Sequence, residues 1–149
     1  MTHATQLVLA GGGHSHALLL RRWAMHPKQR PKGLITLVSR SSTTLYSGMV
    51  PGLIAGLHSY EQVAIDLRRL AVEAGVAFVA AEIKGVDTIH QSLVLEGRLP
   101  LVYSQLSLDV GAISRLIAPD PSLSAGSLVP GFSNAYCSAV ISRSSGQYA

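Results

Sequence analysis

The chain has a single cysteine, Cys137, and no Cys-x-x-Cys pair. That excludes an internal disulfide, a dithiol redox relay and a cysteine-rich metal site. Acids are scarce, 8 Asp and Glu against 12 Lys and Arg, for a formal charge of +4. The excess is scattered, with Arg21-Arg22 and Arg68-Arg69 as its adjacent pairs. Aromatic residues are 5% of the chain and do not interleave a basic stripe. No nucleic-acid partner is expected; the charge reads as solvated surface with weak attraction to anionic lipid heads. No apolar run approaches the ~18 residues of a spanning helix, and no basic segment leads an apolar one at the N-terminus, so a reducing cytoplasm is the expected compartment. His14 and His16 stand two apart at a helix start and point different ways, so no metal is expected there.

What is present is apolar. At 149 residues and 48% hydrophobic, the chain has material for one sizeable core. Its most informative stretch runs from Leu7 to Leu20, an apolar strand leading through Gly11-Gly12-Gly13 into His14-Ser15-His16-Ala17 and a helix of about three turns ending near Pro27. A glycine turn between a buried strand and a helix start is a diphosphate cradle: Gly11 permits the tight turn, and Gly13, without a Cβ, lets a pyrophosphate approach the backbone at the positive end of the helix. His16 stands where Gly-x-Gly-x-x-Gly would have its third glycine. A second apolar strand, Leu34 to Val38, completes a β-α-β unit. After it come Ser39, Arg40, Ser41 and Ser42, where such folds often place an acid on the adenosine ribose.

Ser59 and Gln62 have capping-box spacing, and Val63, Leu67, Leu70, Ala71 and Ala74 share one helical face before Gly75. This predicts one amphipathic helix covering a sheet, with Asp66, Arg68 and Arg69 on its solvent side. Residues 76–80 predict a third buried parallel strand. Residues 82–87, 92–96 and 99–103 then predict an antiparallel meander, and 106–110 a further apolar strand in which Asp109 reads as a strand-end polar residue. The expected fold class is α/β, a Rossmann-like dinucleotide-binding domain whose parallel sheet carries helices and a small antiparallel β-meander.

Four blocks together resemble the FAD-binding part of the pyridine nucleotide-disulfide oxidoreductase superfamily: residues 9–16, 45–56, 65–70 and 103–111. The likeness is to the type II NADH dehydrogenase-like group associated or fused with selenide, water dikinase, and it covers about residues 5–112. It implies FAD as cofactor, with Gly11, Gly12, Gly13, His14 and Ser15 at the pyrophosphate, Ser39 and Arg40 by the adenosine ribose, Ile83 backing the adenine through its main chain, and Gly111 approaching the flavin. The loop Tyr46 to Gly56 holds no cysteine where disulfide reductases carry their redox pair. The resemblance therefore implies an NAD(P)H-oxidising flavoprotein that passes electrons to a quinone-like acceptor, with peripheral membrane association and a link to selenide, water dikinase. It names no catalytic residue in this chain.

The expected organisation is an N-terminal FAD-binding part over 1–112 and a poorly patterned tail over 113–149. That tail is serine-rich, interrupted at Pro119 and Pro121, and reads as truncated, frame-disrupted or disordered. The chain alone is expected to be an inactive fragment. Two alternatives stand beside this reading: a single-nucleotide NADP-binding domain using Ser39 to Ser42 for a 2′-phosphate, and a non-catalytic remnant.

Overall fold

Period-two alternation in the first strand divides the molecule into two apolar layers. In this computed structural model, which describes residues 5–110 and the backbone of 138–142, β1 (Gln6–Ala10) sends Leu9 to one side and Val8 and Ala10 to the other. Leu9 packs with Ile35 and Leu37 of β2 (Leu34–Ser39), with Leu20 and Trp23 of α1 (His14–Met25), and with Leu67 and Ala71 of α4 (Leu67–Glu73). Val8 and Ala10 pack with Val38, Leu93, Leu95, Tyr103 and Leu106. Helices thus cover one face of the sheet. The other is covered by the antiparallel meander β6 (Ile83–Asp87), β7 (Ser92–Leu95) and β8 (Leu101–Val102).

The central sheet adds β5 (Ala77–Ala80), β9 (Gln105–Asp109) and β10 (Ser138–Ser142), in the order β10-β9-β1-β2-β5. β9, β1, β2 and β5 run parallel, and β10 pairs antiparallel with β9. The chain leaves β1 toward β2 and β5 and later adds β9 on the other flank of β1. A topological switch point therefore lies at the carboxyl end of β1, where α/β sheets open a ligand crevice. Rossmann-like architecture with a small antiparallel sheet is what the sequence predicts.

Three elements differ from the sequence reading. The single helix from Ser59 is two helices: α3 (Tyr60–Val63) ends at β4 (Ala64–Asp66), which pairs with β3 (Thr43–Leu45), and α4 starts afresh. The capping box at Ser59 and Gln62 forms as expected, but Asp66 is the N-cap of α4, its Oδ1 accepting the Arg69 N–H at 2.9 Å. Val63 and Leu67 are both fully buried, so their i, i+4 spacing hid the break. The third parallel strand forms the edge of the sheet, with Ala77 and Ala80 exposed and Phe78 and Val79 half-buried. Finally, β10 arises in a segment without sequence periodicity; the rest of 113–149, and Gly111, lie outside the described residues.

Candidate functional site

The glycine turn is held from beneath by the neighbouring strand. Gly11 takes φ +104°, a left-handed-side conformation that suits glycine, and its N–H donates to the Val38 carbonyl at 2.8 Å. The Gly13 N–H donates to the Asp109 carbonyl at 3.1 Å. Two residues into α1, the His16 N–H donates to Asp109 Oδ2 at 3.0 Å. Asp109 is 1% exposed. It is therefore no idle strand-end residue: from β9 it supplies the capping carboxylate that Gly13, the N-cap of α1, cannot.

A Cβ at Gly13 would run into the Asp109 carboxylate, and one at Gly11 into the Asp109 carbonyl. At Gly12 it would meet Leu67 Cδ1 and lie 2.7 Å from Ser39 Oγ. The glycines are thus demanded by the protein's own β9, β2 and α4 before any ligand is considered. Gly13 thus has a structural reason of its own, its missing side chain making room for Asp109.

His16 fills the place of the third glycine and is 2% exposed. Its Nδ1 lies 2.8 Å from the Gly11 carbonyl, which can only accept, so Nδ1 carries the proton. Its Nε2, 2.9 Å from Ser107 Oγ, then accepts the serine hydroxyl. Burial pushes the imidazole below its ordinary value, outweighing the Gly11 hydrogen bond and the Asp109 charge, which raise it. A neutral ring with a defined tautomer locks turn, helix and β9 together.

An open groove of about 620 Å³ runs over the carboxyl ends of the strands. Gly11, Gly12, Gly13, Ser39, Arg40 and Ile83 all line it, so most of the sequence-predicted binding residues meet on one surface. His14 and Ser15 stand at the α1 start beside it but are not in its lining. The half-buried His14 ring packs against Tyr46, centroids 4.9 Å apart, which ties the Tyr46–Gly56 loop to the helix start. That loop folds as a 3-10 turn (Ser47–Met49) and α2 (Val50–Ile54). With the Gly13 and His16 amides bound by Asp109, the amides of Gly12 and His14 have no bond among the described residues.

Sequence reading missed Glu82 and Lys84 on this groove. The Ala81 N–H donates to the Ser39 carbonyl at 3.1 Å, which sets the ends of β5 and β2 side by side. No local sequence signal marks them: it is the parallel pairing of 36–39 with 77–80 that makes residue 82 a neighbour of the Ser39-Arg40 step.

No protein-family model matches the chain, and no curated protein matches it in sequence. Solved structures do share the fold. Sulfide:quinone oxidoreductase of Aquifex aeolicus superposes with TM-score 0.62 at 18% identity, covering 76% of this chain and 26% of that one. NDH2 of Plasmodium falciparum gives 0.63 at 17%, covering 78% and 24%. CoADR-RHD of Bacillus anthracis gives 0.64 at 15%, covering 78% and 22%. The chain spans about a quarter of each neighbour's length. At such identities the likeness establishes the fold, and function has to be argued from the site.

Proposed function

We propose that this chain is the N-terminal part of the FAD-binding domain of an NAD(P)H-oxidising flavoprotein of the pyridine nucleotide-disulfide oxidoreductase type. The observation that carries the reading is the single groove joining Gly11, Gly12 and Gly13 to Ser39, Arg40 and Ile83 at a topological switch point. The four sequence blocks point to the same cofactor, and the Aquifex protein, which is named as an oxidoreductase, shares the fold.

The residues fit a dinucleotide. The Gly12 amide on the groove lining and the His14 amide beside it form no bond among the described residues and could serve a diphosphate, and the groove runs past β2 to the end of β5, where an adenosine half would lie. Asp109 already occupies part of the helix-end field, so directed N–H donors rather than the helix dipole carry the anion. Arg40, exposed on the groove rim, adds a cation. When bound, the flavin supplies hydride acceptance and onward electron transfer. This chain's residues bind and orient; Gly111 is assigned the flavin end by resemblance.

The proposed electron donor is NAD(P)H, as the sequence resemblance implies, and the proposed acceptor is quinone-like; the Aquifex neighbour's name gives quinone as that protein's acceptor, with sulfide as its donor. Among the described residues no helix is long and apolar enough to cross a membrane, and the proposed association with the membrane is peripheral. A functional link to selenide, water dikinase belongs to the same reading. The chain alone is proposed to bind FAD without turning over, because hydride transfer needs a nicotinamide held against the flavin, an orientation effect of about 7–11 kcal/mol in well-oriented systems.

Refolding with FAD followed by gel filtration tests the assignment. A yellow protein whose flavin is not bleached by NADH or NADPH is expected. A colourless protein would overturn the FAD assignment, and rapid saturable bleaching would overturn the proposed inactivity. Retention of NADP without FAD, lost in Arg40→Ala, would favour the single-nucleotide NADP domain.

A further inference from the structure

From the groove's charge layout we propose that Glu82 is a specificity-determining residue that selects an unphosphorylated adenosine ribose and rejects a 2′-phosphorylated one. The proposal rests on the dinucleotide reading above and deepens it.

Residues 39–44 contain no acid, so β2 brings hydroxyls and Arg40 to the groove and nothing that would repel a phosphate. Taken alone, that rim suits a 2′-phosphate. The strand order alters the balance. A nucleotide with its diphosphate on the glycine turn and its adenosine directed across the end of β2 arrives at the end of β5, because the order there is β1-β2-β5. Glu82 follows β5 directly and lines the groove, its side chain 46% exposed and open to a ligand.

The carboxylate is held in place. Lys84 Nζ lies 3.4 Å from Glu82 Oε1 and 3.0 Å from Glu96 Oε1, and the Glu96 N–H donates to the Glu82 carbonyl at 2.9 Å. With Glu96 closer, Lys84 is shared between two acids, and the trio carries a net negative charge. Arg40 forms no ion pair among the described residues. The rim therefore presents a positive group after β2 and a negative one after β5. A ribose diol can donate to the carboxylate, whereas a 2′-phosphate brought against it is repelled.

Calorimetric titration of the 149-residue chain with ADP and with 2′-phospho-ADP tests this. The wild type should bind ADP at least about tenfold more tightly, and Glu82→Gln should weaken ADP while strengthening 2′-phospho-ADP, shrinking the ratio about tenfold. Glu82→Asp, which keeps the charge, should retain most of the discrimination. Equal preference in wild type and Glu82→Gln, with ADP still bound, would overturn the role of Glu82 and leave the nucleotide site standing. No binding of ADP or FAD by the wild type would overturn the site itself. Wild-type preference for 2′-phospho-ADP, abolished by Arg40→Ala, would show Arg40 rather than Glu82 in control.

Discussion

Asp109 Oδ2 accepts the His16 N–H at 3.0 Å while the Asp109 carbonyl accepts the Gly13 N–H at 3.1 Å, so one buried residue of β9 clamps both the turn and the first turn of α1. The two residues stand 93 apart in sequence. The contact closes the crossover that carries the candidate site, and its energetic weight can be measured.

Asp109→Ala leaves the His16 amide unpaired in a buried setting, which costs about 1–3 kcal/mol for such a donor. Asp109→Asn keeps an acceptor oxygen and should cost less. Urea denaturation of the three proteins checks the order. Equal stabilities would mean that the clamp is not energetically coupled to folding.

Gly13→Ala should destabilise because its methyl meets the Asp109 carboxylate. In an Asp109→Gly background, where that carboxylate is gone, the same substitution should cost markedly less. A double-mutant cycle reads the difference, for which coupling of about 0.5–3 kcal/mol is usual between contacting residues. A cost that persists undiminished would place the demand for glycine elsewhere.

His16 should make stability fall in mild acid. Burial holds its folded-state value below the ordinary 6.5, so the unfolded chain takes up a proton first as pH drops. Stability is therefore complete above 6.5 and declines through the interval below it, toward the depressed folded value. Protonation would also give Nε2 a hydrogen where it now accepts from Ser107 Oγ. Urea midpoints at about pH 7.5 and 5.5 should separate more for the wild type than for His16→Gln. Equal slopes would show that the ring titrates alike in both states.

Leu9→Ala should be the costly core substitution. Leu9 is fully buried in the apolar cluster it shares with both covering helices and β2, so truncation is expected to lose about 2–5 kcal/mol. Leu18→Ala, on the exposed side of α1 at 52% exposure, should change stability by no more than about 0.5 kcal/mol. Thermal melts of the two variants give the comparison.

The sequence by itself determined what depends on local pattern. Near-continuous apolar runs specify β1 and β2 with both faces buried, the glycine run specifies the turn, and the capping box at Ser59 specifies a helix start. Those features are written in residues a few positions apart. The break after Val63 was not legible, because Val63 and Leu67 satisfy helical spacing whether or not Ala64–Asp66 leaves the helix to pair with β3. Tertiary structure alone decided the roles of Asp109, His16 and Glu82. Each depends on which parallel strand lies next to which: β9 beside β1 puts a carboxylate under the glycine turn, and β5 beside β2 puts Glu82 on the groove. Strand order is a long-range packing outcome, and no local period encodes it.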